Sequence, residues 1–128
     1  GVHVGIEDTP VAEIRKKVPT DFIIGATAKT TAQATAAQNA GADYLGVGAI
    51  FPSSTKENAI RITKDKLREI CTSVSIPSVA IGGIGINNIA EIKGGGMKGI
   101  AAVSAIFGAE DIFTATKKLK VLAKQAIS

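Results

Sequence analysis

Asp43-Tyr44-Leu45-Gly46-Val47-Gly48-Ala49-Ile50-Phe51-Pro52-Ser53-Ser54-Thr55-Lys56 changes character half-way along. Residues 43–50 are small and apolar, the pattern of a strand buried on both faces. Residues 51–56 supply three hydroxyls and a cation, the groups that hold a phosphate or diphosphate. A buried strand that hands over to a polar loop is the repeating unit of a parallel α/β fold.

More such units lie on both sides. Upstream, residues 1–6 read as a strand already in progress, with no start methionine and no lead-in, so the chain is expected to begin mid-fold. Glu7-Asp8-Thr9-Pro10 is a turn, and Pro10 suits the first turn of a helix, where its missing N–H costs nothing. Val11, Ile14 and Val18 recur at helical spacing and predict a helix over 11–18, stopped by Pro19. Residues 22–26 predict a second buried strand, with residues 27–30 as its loop. Thr30 is placed to cap an alanine-rich helix over 31–39, and Gly41 to end it.

Downstream, the loop over 51–62 is long, and long loops in compact domains are often functional. Thr63 is placed to cap a helix from 64 to about 73, with Leu67 and Ile70 on its apolar side. Pro77 opens a fourth strand over 78–81, which runs into Gly82-Gly83-Ile84-Gly85. A short helix from Asn87-Asn88 to Lys93 ends at Gly94-Gly95-Gly96. Residues 99–105 predict a fifth strand ending at Val103-Ser104. A long amphipathic helix over 109–127 buries Ile112, Ala115, Leu119, Leu122 and Ile127 and turns Lys117, Lys118, Lys120 and Lys124 mostly to solvent.

Five strand–helix units demand a parallel sheet with right-handed crossovers. An open doubly wound sheet and part of a (β/α)8 barrel both satisfy that order. The strand ends favour the barrel. Asp8, Thr27, residues 53–56, Gly82-Gly83 and Ser104 would converge on one face, where active sites of that fold lie. The glycine-rich fourth end and the serine of the fifth match the phosphate site after a barrel's last two strands.

Composition narrows the classes. At 128 residues the chain is one domain at most. Hydrophobic content of 45% with 20% charged residues is that of a globular protein. The 14 glycines suit tight parallel strands with short turns at their ends. The net charge of +4 is scattered over helix-like segments without stacked aromatics, which argues against nucleic acid as a partner. Cys71 is the single cysteine and excludes an internal disulfide. No apolar run approaches the ~20 residues that span a bilayer. Residues 1–5 lack the basic and apolar regions of a signal peptide. A cytoplasmic location is expected.

Residues 1–8 (Gly-Val-His-Val-Gly-Ile-Glu-Asp), 41–56, 79–84 (Val-Ala-Ile-Gly-Gly-Ile) and 103–106 (Val-Ser-Ala-Ile), in that order, resemble thiamine-phosphate synthase. The resemblance covers essentially the whole chain. It implies an α/β fold: a partial (β/α)8 TIM barrel of five β/α units, strands 4–8, with residues 1–128 as the C-terminal part of the domain. It implies a transferase that joins aminopyrimidine-methyl diphosphate to thiazole phosphate and releases diphosphate with the help of Mg2+. Ionisation of a carbon–oxygen bond asks more for stabilisation of diphosphate charge than for a base.

Site residues follow from the same resemblance. Asp8 resembles a magnesium-ligating carboxylate; on turn preferences alone it is a turn aspartate before Pro10. Thr27 takes the place of a diphosphate-binding serine, and is otherwise a strand-end hydroxyl. Ser53, Ser54 and Thr55 resemble the thiazole-phosphate loop, with serine at 53 where threonine is usual. Lys56 resembles the lysine that reaches the leaving diphosphate, and is otherwise a solvated loop lysine. Gly83 resembles the glycine whose N–H meets the thiazole phosphate, and Val103 with Ser104 the final-strand pair that completes that site. Tight packing at strand ends is the alternative for Gly83 and Ser104. Lys56 and Thr27 are the catalytic candidates.

Several positions depart from the family pattern. Lys29 stands where a histidine is common, and Asn58 where an aspartate often follows the Thr-Lys pair. The related thiazole tautomerase, an isomerase of the same fold, is expected to need a histidine at the Lys29 position. The only histidine is His3, inside a strand. A non-catalytic phosphate-binding fragment is the third reading. The family's pyrimidine-binding strand and second magnesium aspartate would lie before Gly1, so the chain alone is expected to be inactive or nearly so. Open sheet edges lead us to expect self-association.

Overall fold

The computed structural model describes residues 1–52 and 61–128. The predicted loop residues Ser53, Ser54, Thr55 and Lys56 lie outside the described residues. Five strands, β1 (Val2–Val4), β2 (Ile24–Ala28), β3 (Tyr44–Val47), β4 (Ser78–Ile81) and β5 (Gly99–Ala101), form one sheet in the order β1-β2-β3-β4-β5, every pair parallel. Each strand lies beside its predecessor. A doubly wound sheet needs a reversal of strand order, and none occurs among the described strands.

Helices α1 (Val11–Arg15), α2 (Thr31–Ala40) and α3 (Lys64–Ser73) are followed by a 3-10 turn (Ile89–Ile92) and by α4 (Ser104–Phe107) and α5 (Ile112–Ile127). Crossovers of one hand between successive strands put helices on a single face. That face carries Val4, Ile24, Ala26, Ala28, Leu45, Val47 and Ala80, buried against Val11, Ala34, Leu67, Ile70 and Leu119. The strands alternate, so the residues between them point to the other face.

Local chemistry explains the boundaries. Thr30 Oγ1 accepts from Gln33 N at 3.0 Å and Thr63 Oγ1 from Lys66 N at 3.2 Å, so both expected caps form. Gly41 ends α2 with φ of 106°, a left-handed conformation that favours glycine. Asp111, not residue 109, starts the last helix, its carboxylate accepting from Thr114 N at 3.0 Å.

Other boundaries correct the sequence reading. The first helix stops at Arg15, because Lys17 N bonds back to Ile14 O in a tighter turn ahead of Pro19. The fifth strand pairs with β4 only over residues 99–101. Ile106 N and Phe107 N then turn onto Val103 O and make the short helix α4 that the sequence reading ran through as strand. Thr27, expected in a loop, lies within β2 opposite Gly46. Ile112, expected on the buried side of the last helix, is exposed, whereas Leu119 and Ala126 are buried.

Candidate functional site

The face of the sheet away from the helix-side core carries a polar constellation across its first three strands. The register sets His3 opposite Gly25, Gly25 opposite Tyr44 and Thr27 opposite Gly46. His3 Nδ1 lies 3.0 Å from the Tyr44 hydroxyl and Nε2 lies 3.1 Å from Thr27 Oγ1. In a neutral imidazole one ring nitrogen donates and the other accepts, so the two hydroxyls play opposite roles. The two rings stand 5.5 Å apart between centroids, tilted by 34°. Glycine makes this possible. A Cβ on Gly25 would collide with the Tyr44 ring, and one on Gly46 would come within 2.9 Å of His3 Cε1.

Loops after the strands bring other candidates to the same end. Asp8 Oδ2 accepts from Gly5 N at 2.7 Å, which folds the turn after β1 back on itself. Asp8 and Thr27 border a cleft of about 210 Å3 whose lining is mostly apolar, with Val4, Ile6, Pro10, Val11, Ala26 and Ala36 among it. The start of the loop after β3 is zipped to the turn after β4: Ile50 N donates to Ile81 O and Phe51 N to Gly82 O at 2.9 Å. Gly83 has φ of 64°, and a Cβ there would strike the Phe51 carbonyl. Asn88 pins this turn, donating through Nδ2 to Gly83 O at 2.9 Å and accepting on Oδ1 from Gly85 N at 2.8 Å. Position 85 has Ala105 as its neighbour, so the Gly83 turn stands next to the Val103-Ser104 turn. Val103 and Ser104 are exposed there, with Ser104 in the first turn of α4. The Arg61 guanidinium sits over the Phe51 ring at 5.1 Å, adding a cation beside the same turn.

Magnesium takes oxygen ligands in an octahedron and keeps several of them as water or substrate phosphate. Asp8 fits one position of such a set. One of its carboxylate oxygens holds the Gly5 N–H, and the hydrogen bonds found leave the other uncommitted. Among the described residues no three His, Cys, Asp or Glu side chains group as a metal centre.

Residues 1–106 match the family model described as thiamine monophosphate synthase. The chain belongs to the thiamine monophosphate synthase family. Thiamine-phosphate synthase of Pyrococcus furiosus is 44% identical over 127 residues, which span 99% of this chain and 61% of that protein. The Clostridium beijerinckii thiamine-phosphate synthase is 47% identical over 120 residues, 94% of this chain and 57% of that one. A solved structure of thiamine phosphate pyrophosphorylase from Pyrococcus furiosus superposes with a TM-score of 0.89 at 41% identity, covering all of this chain and 61% of that one. The chain therefore spans about three-fifths of the length of these relatives, and what it matches is their C-terminal part.

Set against the family expectation, the structure places Asp8 with Thr27 on one cleft, and Gly83 near Val103 and Ser104 on another stretch of the same end. His3, Tyr44, Asn88 and Arg61 were not among the candidates. His3 lies within a strand, but on the face of the sheet away from the helix-side core. The alternation of Val2, His3 and Val4 held that signal, with two apolar side chains flanking one polar one.

Proposed function

We propose that this chain is the C-terminal part of a thiamine-phosphate synthase, a transferase that joins aminopyrimidine-methyl diphosphate to thiazole phosphate with release of diphosphate. The observation that carries this is the match of residues 1–106 to the thiamine monophosphate synthase family; Asp8 in the turn after β1 and Thr27 in β2, its hydroxyl 3.1 Å from His3 Nε2, support it. Hydroxyl and carboxylate together meet the oxygens of a diphosphate and the cation that accompanies it.

The sequential strand order supports a five-strand arc of a (β/α)8 barrel, strands 4–8, with residues 1–128 as its C-terminal portion. Thr27 and Lys56 would stabilise negative charge on the departing diphosphate. His3 fixes the Thr27 hydroxyl, and Tyr44 fixes the imidazole from its other side. Ser53, Ser54 and Thr55, with Gly83, Val103 and Ser104, would hold the thiazole phosphate. Gly83 would offer its N–H where no side chain blocks the approach, and Ser104 its hydroxyl. Asp8 would hold Mg2+, which when bound supplies charge neutralisation to the leaving group. A cytoplasmic site of action is proposed; no helix among the described residues is long and apolar enough to cross a membrane. Among the described residues β1 and β5 each have one strand partner, which supports self-association through the edges of the sheet.

Titration of the chain with thiazole phosphate tests the reading. Ser104→Ala is expected to weaken binding about tenfold, the worth of one hydrogen bond to a charged group. Equal affinity of the two proteins would remove Ser104 from the site and with it the phosphate assignment at β5. Synthase turnover by the 128-residue chain alone is expected to be absent or nearly so. Full turnover would refute the proposal that part of the site lies outside this chain.

A further inference from the structure

Three side chains on the open face form a linear hydrogen-bonded series. The Tyr44 hydroxyl lies 3.0 Å from His3 Nδ1, and His3 Nε2 lies 3.1 Å from Thr27 Oγ1. Among the described residues neither hydroxyl has another hydrogen-bond partner. A neutral imidazole carries one proton, so the series runs in one of two directions. In the first, Tyr44 donates to Nδ1 and the Nε2–H donates to Thr27. In the second, Thr27 donates to Nε2 and the Nδ1–H donates to Tyr44.

The chemistry of the two hydroxyls separates these cases. A phenol shares an oxygen lone pair with its ring, so its O–H is the stronger donor and its oxygen the weaker acceptor. An aliphatic hydroxyl keeps both lone pairs. The bare imidazole nitrogen therefore pairs best with Tyr44, and the imidazole N–H with Thr27. Direction also decides what Thr27 offers a ligand. Anions are held by donors. When Thr27 Oγ1 accepts from Nε2, its own O–H stays free to donate. In the second direction that proton is committed to Nε2, and only lone pairs face the ligand. The ring of Tyr44 is seated over Gly25, where a Cβ would collide with it. Packing on that glycine asks for the ring alone, and a phenylalanine would supply it. The hydroxyl is what the series needs.

We propose that Tyr44 is a positioning residue: by donating to His3 Nδ1 it fixes the proton of the imidazole on Nε2, and so leaves the Thr27 O–H to donate to a diphosphate oxygen. The inference rests on the reading of Thr27 as a diphosphate-binding residue. It adds Tyr44 and a defined proton direction to that reading.

His3 is the single histidine, so a two-bond 1H–15N spectrum of the labelled chain shows one imidazole. At about pH 8.5, where an ordinary imidazole is neutral, the proton is expected on Nε2. Tyr44→Phe, verified as folded by thermal melting, keeps the ring over Gly25 and is expected to shift the Nδ1 resonance and bring in the second tautomer. The second arm titrates the chain with inorganic diphosphate and Mg2+. Tyr44→Phe is expected to weaken binding about fivefold, the worth of one hydrogen bond, and to have no effect in a Thr27→Val background. A proton on Nδ1 in the parent chain would overturn the relay while leaving Thr27 in the site. Equal effects of Tyr44→Phe with and without the Thr27 hydroxyl would also overturn it, because Tyr44 would then act by another route. A parent chain that binds no diphosphate would overturn the reading of Thr27 itself, and the proposal with it.

Discussion

A methyl group at position 25 would separate the polar constellation on the open face from the fold beneath it. Gly25 is buried because the Tyr44 ring lies directly over it, and a Cβ there would sit far inside contact distance of Tyr44 Cζ. The strand register holds the Gly25 backbone opposite Tyr44, so the ring must move. Once it swings away, the 3.0 Å bond from the Tyr44 hydroxyl to His3 Nδ1 is lost, and the imidazole that positions Thr27 loses one of its two anchors. Overpacking of this kind costs about 1–3 kcal/mol. For a chain of 128 residues that lowers Tm by about 4 to 11 °C. The assay is direct, because Tyr44 is the single tyrosine and there is no tryptophan. Tyrosine emission and its quenching by acrylamide therefore report on this ring alone. Gly25→Ala is expected to stay folded, melt lower and show a ring more open to the quencher. A variant with unchanged Tm and unchanged quenching would refute the packing of Tyr44 on Gly25 and the His3 anchor that depends on it.

Arg15 joins three elements: it donates through Nε and Nη2 to Gly41 O, through Nη1 to Phe22 O at 2.8 Å, and through Nη2 to Asp43 Oδ2 at 2.8 Å. Arg15→Ala leaves those carbonyls short of a charged donor and is expected to cost about 2 kcal/mol, read by urea denaturation; an unchanged midpoint would mean that water replaces the guanidinium without loss. Acid lability should follow two aspartates. The Ile24 N–H and then Arg15 hold Asp43 below its ordinary value of 3.8, and the Thr114 N–H and then its hydroxyl do the same for Asp111. Both contributions are fully present above the unfolded pKa of about 4 and are lost as pH falls through the lower folded values. Asp43→Asn is therefore expected to flatten the fall in Tm below pH 4, and a slope identical to the parent chain would show that this carboxylate has no share in it.

Much of the fold was legible because its signals are local. Thr30, Thr63 and Gly41 act through bonds to residues a few positions away, and each does what its type predicts. What misled was register, which is not local. Residues 22–26 are the most apolar run in their region, yet Ile23 is 57% exposed and the paired strand begins one residue later. That shift carries Thr27 into β2 and onto the face of His3. Residues 99–105 look like one strand, but only the first three find partners on β4, and the chain then turns into α4. At the candidate site, Asp8, Thr27, Gly83, Val103 and Ser104 are named by family resemblance and stand as proposals. His3 and Tyr44 escaped because a strand histidine and a strand tyrosine look like packing until the open face is known.

Polarity on that open face changes from one side to the other. Over β1 to β3 it presents His3, Thr27 and Tyr44, seated above Gly25 and Gly46. Over β4 and β5 the register gives Val79 opposite Gly99 and Ile81 opposite Ala101, with Ile81 40% exposed. A surface meant only for water would not present valine and isoleucine there. A surface meant only for a dry core would not place an imidazole between two hydroxyls. Over β1 to β3 the Tyr44 and His3 rings fill the space that Gly25 and Gly46 leave.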